Sequence, residues 1–300
     1  MHFAERGDHK LDRLTVSITN EELSDMTLLE QQGEYSKGIM TRKICRQEEE
    51  GRYPKIEKCR IGIIGLTEGA GASFVTLALA KAISGYGLVP AVVELGKGGI
   101  YESLGMAERF AGREFFSFHQ ALHENRKIRN RSNFDEGINW ALRGPGEDHI
   151  DLGATKMMRL MDNIQGEAVL CDFSGLDIDS VHSTLMKELL TDMESLVLVI
   201  DPLPSKLMKG YSTLARLSRI SDSLTVVVNK YNRGVNRAEM LKLLKVRKPL
   251  YLPYVAPEEI YEAEYRCRIV SGSGPAGKLL NGPVKDLLKR AVPPDILRLG

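Results

Sequence analysis

The stretch with the clearest chemistry runs from Ile61 to Ser84, where a short apolar strand leads through a glycine-rich turn into a helix. A turn of this kind, here Gly65–Gly71, aims backbone N–H groups at an anion. A working phosphate-binding loop (P-loop) places lysine and then serine or threonine after its last glycine. This chain has Ala72 and Ser73 there. The hydroxyl that holds a magnesium ion is therefore present, whereas the cation that reaches the phosphates is missing.

Composition predicts a globular protein of one or two domains. The 300 residues are 43% hydrophobic and 27% charged, and the formal net charge is +1. That balance gives no global field toward nucleic acid or an acidic membrane, and no apolar run approaches the ~20 residues that span a bilayer. The four cysteines lack CxxC spacing and the six histidines lack metal-ligand spacing. These patterns argue against a zinc site or a disulfide framework and favour a cytoplasmic protein.

The chain divides near residue 58. Residues 1–57 are polar and charge-rich, with few large apolar residues, and predict an arm that is flexible or partly helical. A segment within it, residues 11–18, could instead add an edge strand or dock on a partner. Residues 58–300 form the predicted folded domain.

From residue 59 apolar strands alternate with helices, which predicts an α/β fold with a mainly parallel, seven-stranded sheet covered by helices on both faces. The predicted strands are 60–66, 91–95, 138–142, 168–173, 195–201, 224–229 and 250–253. The predicted helices are 72–86, 115–124, 152–164, 180–193, 206–219, 236–245, 257–266 and 283–290, the last with Pro283 in its first turn.

Polar residues end two of these strands at the edge where such sheets bind ligands. Asp172 ends an apolar strand, as does the acidic residue that orders magnesium in P-loop enzymes; the alternative is a carboxylate that caps the next turn. Asn229 ends another strand, and its amide could pair with an adenine edge. The alternative for Asn229 is an ordinary turn residue.

The order of strand, glycine loop, Asp-ended strand and Asn-ended strand resembles the MinD/ParA class of P-loop ATPases over residues 60–290. The later Leu252–Val255, followed by a helix, resembles the loop that closes over adenine in that class. The resemblance implies magnesium contacts at Ser73 and Asp172. It implies nucleotide contacts at Gly69, Ala70, Gly71, Ala72, Ser73, Phe74, Asp172, Asn229 and Pro253.

Three positions depart from the family pattern. The family's signature lysine falls on Thr67, its P-loop lysine on Ala72, and its water-positioning aspartate on Gly96. Glu68 also places a carboxylate in the anion cradle. Each lost charged contact typically lowers the rate about 10²–10³-fold, so we expect hydrolysis near background. The cleft is then expected to bind ATP or ADP with magnesium weakly, or to stay empty.

The resemblance implies a non-hydrolysing module that positions or assembles other proteins, as TadZ/CpaE-like members do at a cell pole. The implied partner is another protein or a second copy of the chain, with membrane or pole machinery as a further candidate and nucleic acid not expected. Two alternatives stay open. One is an active ATPase with a relocated lysine, such as Lys97 or one from the arm, and the other is a purely structural partner protein.

Overall fold

The computed structural model describes residues 58–298 except 129–132, 177–183, 221–222, 247 and 273. The predicted arm, residues 1–57, lies outside the described residues. The strands are β1 (Cys59–Gly65), β2 (Pro90–Glu94), β3 (Phe134–Asp135), β4 (Ile138–Ala141), β5 (Ala168–Asp172), β6 (Ser195–Ile200), β7 (Leu224–Tyr231) and β8 (Leu250–Pro253). They form one eight-stranded sheet in the spatial order β3-β4-β2-β5-β1-β6-β7-β8.

Helices fill the connections between the strands. They are α1 (Ala72–Gly85), α2 (Ile100–Ser103), α3 (Met106–Arg109), α4 (Phe118–His123), α5 (Ala154–Asn163), α6 (Thr184–Thr191), α7 (Pro204–Ile220), α8 (Arg237–Leu244), α9 (Pro257–Tyr265), α10 (Gly274–Ala291) and α11 (Pro294–Leu297). Within the described ranges no helix combines the length and the apolarity that a membrane crossing requires. The sequence patterns did not predict α2, α3 and α11, which are only one turn long.

The central strand β1 is buried on both faces of the sheet. Ile61 and Ile63 belong to one apolar core, and Ile64 belongs to the other. Side chains alternate across a strand, so the two cores lie on opposite faces of the sheet. The predicted two-sided covering of the sheet is therefore confirmed.

The predicted parallel pairing at the sheet centre is also confirmed. Ile61 lies opposite Leu170 of β5 and opposite Ser195 of β6, and both pairings are parallel. Because neighbouring parallel strands end at the same edge, the loops after Gly65, after Asp172 and after β6 meet there.

All seven predicted strands are present, and the structure adds the two-residue strand β3. It pairs antiparallel with β4 through a turn at Glu136 and Gly137, whose φ values are 49° and 77°. Positive φ at both turn residues is the type I′ geometry that suits a two-residue hairpin. Strand β3 was too short to produce a recognisable alternation of polar and apolar residues.

The prediction for Pro283 is wrong. Pro283 lies inside α10, which begins nine residues earlier at Gly274, and Pro275 takes the first-turn position instead. The helix tolerates an internal proline because Leu280 and Leu287 on either side of it are fully buried. Packing against the core therefore outweighs the local preference of proline.

Candidate functional site

The glycine-rich loop joins β1 to α1 through backbone that glycine favours. Gly69 and Gly71 have φ values of 71° and 92°. A side chain at Gly71 is also excluded by space, because its Cβ would lie 2.3 Å from Asn229 Nδ2. The first N–H groups of α1, which begins at Ala72, have no carbonyl partner within the helix. Loop and helix therefore present backbone donors at the edge where β1 ends.

Three side chains hold three consecutive carbonyl groups of this loop. The donors are Lys206 Nζ to the Glu68 oxygen at 3.2 Å, Lys230 Nζ to the Gly69 oxygen at 2.6 Å, and Asn229 Nδ2 to the Ala70 oxygen at 2.9 Å. The C=O and N–H groups of a trans peptide point in opposite directions. The N–H groups of Gly69 and Gly71 consequently face away from Lys206 and Asn229.

A buried carboxylate supports two of these donors. Asp201, which follows β6 and is 4% exposed, lies 3.3 Å from Lys206 Nζ and 3.1 Å from Lys230 Nζ. Burial alone would raise the pKa of Asp201, but the N–H of Leu203 and the two ammonium groups lower it. Sequence reasoning missed this group. The available signal was an aspartate and a lysine at the ends of two adjacent parallel strands.

The predicted magnesium residues, Ser73 and Asp172, are brought together. Asp172 is 2% exposed and accepts the Ser174 N–H at 2.9 Å, and the Ser73 and Ser174 hydroxyl oxygens lie 3.0 Å apart. Burial raises the pKa of Asp172, although hydrogen bonds from Ser174 and Ser73 act in the opposite direction. The structure thus places the Ser73 hydroxyl and the Asp172 carboxylate around Ser174, and their magnesium role stays a prediction.

Glu94 organises the loop that follows β2. Its carboxylate accepts N–H groups from Gly99 at 3.1 Å, from Ile100 at 2.8 Å and from Arg143 at 2.9 Å. Burial is the main cause that raises the pKa of Glu94 to about 7, against the effect of these N–H groups. The His119 Nε2–H donates to the Glu94 carbonyl oxygen at 2.8 Å. Glu94, two residues before the predicted switch position Gly96, is thus a buried residue that holds this loop in place.

The predicted switch position, Gly96, has no room for a side chain. A Cβ there would lie 1.9 Å from the Ser174 carbonyl oxygen. Across the same contact, a Cβ on Gly175 would lie 2.9 Å from Lys97 Cβ. The loops after β2 and β5 therefore touch backbone to backbone. A carboxylate that aligned water at residue 96 would require these loops to separate.

The glycine-rich loop opens into a cleft of about 550 Å³ whose walls include two exposed lysines, Lys97 and Lys209. They come from elements on the two sides of β1, namely the loop after β2 and helix α7. Gly210 brings α7 close, because a Cβ there would lie 2.3 Å from Leu66 Cγ. Sequence reasoning identified Lys97 but missed Lys209, since nothing local marks a lysine in a helix as part of a distant loop's site.

The predicted nucleotide residues divide between the cleft and its surroundings. The segment Gly69–Ser73 lines the cleft, whereas the other predicted residues do not, namely Phe74, Asp172, Asn229 and Pro253. A second cavity of about 770 Å³, at the ends of β6, β7 and β8, is lined by neighbours such as Tyr254 but not by Asn229 or Pro253. The Asn229 amide nitrogen donates to the Ala70 carbonyl oxygen, and the adenine role of Asn229 stays a prediction.

Known structures share this arrangement of strands and helices. The chain matches a ParA family ATPase from Chlorobium tepidum TLS, with 13% identity, TM-score 0.60, and coverage of 77% of this chain and 98% of that one. It matches the septum site-determining protein MinD from Pyrococcus horikoshii OT3, complexed with Mg-ADP, with 17% identity, TM-score 0.59, and coverage of 77% and 96%. It also matches the MinC:MinD cell division protein complex of Aquifex aeolicus, with 15% identity, TM-score 0.56, and coverage of 78% and 97%.

No protein-family sequence model matches the chain, and no curated protein matches its sequence. At these identities the structural likeness establishes the fold and not the activity. The predicted fold is confirmed: residues 58–298 have a MinD/ParA-like P-loop fold.

Proposed function

We propose that this chain, which has a MinD/ParA-like P-loop fold, is a non-hydrolysing protein that acts by binding and positioning other proteins. The observation that carries the proposal is the close packing of Gly96 against the Ser174 backbone. A Cβ added at Gly96 would lie only 1.9 Å from the Ser174 carbonyl oxygen. This contact leaves no space for a side chain at residue 96, where the fold would need a carboxylate to align water.

The missing charges support the same conclusion. Phosphoryl transfer depends mainly on positioned charges around the transferred phosphate. The chain has Thr67, Ala72 and Gly96 where three charged residues would act, and the Ala72 side chain is packed in the core at 4% exposure. At about 10²–10³ in rate for each lost contact, the remaining hydroxyl of Ser73 cannot sustain turnover.

Exposed apolar side chains favour a protein partner or a second copy of the chain. Met208 and Tyr211 on α7 are 63% and 41% exposed, and Tyr261 and Tyr265 on α9 are 63% and 91% exposed. Exposed aromatic side chains are enriched where proteins meet. One structurally similar protein, MinD of Aquifex aeolicus, was solved in complex with MinC. Positioning of assembly machinery in the cytoplasm, as in TadZ/CpaE-like proteins, is the corresponding role here.

The second candidate is an active ATPase with a relocated lysine, which the exposed Lys97 and Lys209 in the cleft wall favour. The third is a partner protein with an empty cleft. Phosphate release from ATP by the purified full chain with magnesium separates the second candidate from the others. We expect no release above the rate without protein, and no change in Ser73→Ala or Asp172→Ala.

A MinD protein assayed in parallel serves as the positive control. Turnover of about 1 s⁻¹, the lower end for working enzymes, that disappears in Ser73→Ala would overturn the proposal. The relocated-lysine candidate would then take its place.

A further inference from the structure

We infer that the groove between helices α1 and α10 binds a small molecule that has an anionic head, a carboxylate or a phosphate, and an apolar body. This site is separate from the cleft at the glycine-rich loop. The inference therefore goes beyond the proposed function and does not depend on it.

The groove lies along the C-terminal half of α1, whereas the glycine-rich loop joins α1 at its first residue, Ala72. The groove borders the helix from Ala78 to Gly85 and shares no lining residue with the cleft. The 14 residues of α1 span about 20 Å, at ~1.5 Å per residue. A molecule in the groove would therefore bind away from the loop that resembles a P-loop.

The first observation is the shape of the groove. It encloses about 500 Å³, which lies in the range of small-molecule sites. Helix α1 forms one wall, α10 forms the other, and the short 3₁₀ helix Val270–Gly272 closes one end. Small residues leave this space open, namely Ala82 and Gly85 of α1 and Gly277 of α10. A Cβ added at Gly85 would meet no heavy atom within 4 Å.

The second observation is the apolar floor of the groove. Ala78, Leu280 and Val284 line it and belong to the core on this side of the sheet. The half-buried Ala82 and the exposed Tyr86 add apolar surface that water still reaches. Covering such surface with an apolar group is favourable because it removes the surface from water. The floor therefore fits the body of the ligand.

The third observation is an unbalanced positive charge. Lys81, Lys278 and Lys285 line the groove, and among the described residues no aspartate or glutamate does. Lys278 and Lys285 lie two turns apart on the same side of α10, opposite Lys81 on α1. Lys81 pairs with Glu136 at 3.1 Å, whereas neither lysine of α10 has an ion-pair partner in the described part of the chain. Lysine ammonium groups bind carboxylates and phosphates through charge-assisted hydrogen bonds.

The fourth observation is a buried hydroxyl without a partner. Ser271 lines the groove, and its hydroxyl oxygen is buried with no hydrogen bond to any described residue. By contrast, the hydroxyl of Ser103, also in a one-turn helix, donates to the Ile100 carbonyl oxygen at 3.2 Å. Buried polar groups are nearly always paired, since an unpaired one costs free energy. An oxygen of the anionic head would accept the Ser271 hydroxyl and complete this pairing.

Calorimetric titration of the full chain with octanoate, octyl phosphate and inorganic phosphate tests this inference. We expect an octyl compound to bind at least about tenfold more tightly than inorganic phosphate, because only the octyl chain covers the apolar floor. The tighter of the two octyl compounds identifies the head group. The double variant Lys278→Ala/Lys285→Ala should weaken that binding at least about tenfold. Lys242→Ala/Lys289→Ala, which removes an equal charge from exposed positions outside the groove, is the matched control and should bind as the wild type does.

Ser271→Ala tests the hydroxyl separately. It should weaken binding about 2–10-fold, the effect of one hydrogen bond, and leave the Tm of the free protein unchanged, because the hydroxyl has no protein partner to lose. The inference fails if neither octyl compound binds the folded protein, if inorganic phosphate binds as tightly as both, or if the two double variants bind equally. A lower Tm of Ser271→Ala with unchanged binding would overturn the role of the hydroxyl. None of these results bears on ATP hydrolysis, so the proposed function is tested independently.

Discussion

Gly96→Ala should destabilise the protein through a single steric contact. The added Cβ would lie 1.9 Å from the Ser174 carbonyl oxygen and 3.1 Å from the Leu176 nitrogen, whereas ordinary contacts begin at 3.4 Å. The loop after β5 would have to retreat by about 1.5 Å, the difference between those values. It is held in place because the Phe173 N–H donates to the Ile63 oxygen at 3.0 Å and its ring is 1% exposed.

Overpacking of this kind costs about 1–3 kcal/mol of unfolding free energy. For a domain of this size each kcal/mol lowers Tm by about 2–4 °C, so we expect a fall of roughly 2–12 °C. Urea unfolding followed by circular dichroism gives the free energy directly. The matched control is Gly99→Ala in the same loop, where an added Cβ has no heavy atom within 4 Å and should change stability by less than about 0.5 kcal/mol.

Equal stabilities of Gly96→Ala and Gly99→Ala would refute the reasoning, because the two backbones would then be free to separate. Gly96→Asp is informative in the same way. It should lose stability at least as much as Gly96→Ala and gain no ATP hydrolysis. A stable Gly96→Asp variant that hydrolyses ATP would show that the switch position still has room for its carboxylate.

Two further predictions concern the anchors of the site. Burial raises the pKa of Glu94 from 4.5 to about 7, so the folded protein binds more protons there than the unfolded chain, and stability falls as pH rises through that window. Buried His119, whose pKa falls from 6.5 to about 4, acts in the opposite direction as pH rises from about 4 to 6.5. Glu94→Gln removes only the effect of Glu94. The free energy of unfolding of this variant, measured with urea, should therefore rise relative to that of the wild type between pH 5 and 7.5, by no more than about 3 kcal/mol. A difference between variant and wild type that does not change with pH would contradict this. Asn229→Ala leaves the buried Ala70 carbonyl without its donor and should cost about 1–3 kcal/mol in the same assay, with exposed Asn232→Ala as the control; equal stabilities would mean that water replaces the amide.

The sequence by itself determined the features that depend on neighbours along the chain. The apolar strands, the helices between them and the left-handed glycines, Gly69 and Gly71, follow from local periodicity and backbone sterics. The parallel order of strands then placed Ser73 and Asp172 at one edge of the sheet. The absence of the P-loop lysine, at Ala72, could likewise be read directly.

Tertiary structure alone decided how the cleft is built. Ser73 meets Ser174 across 101 positions of sequence, and Lys206 reaches the Glu68 carbonyl across 138. Residue 96 must be glycine because the backbone of another loop, at Ser174, lies against it. Lys209 lines the cleft because Gly210 lets α7 pack closely against Leu66. Residue types and spacing encode short-range geometry, whereas these contacts depend on loop conformations and helix placements that form only when the whole sheet is assembled.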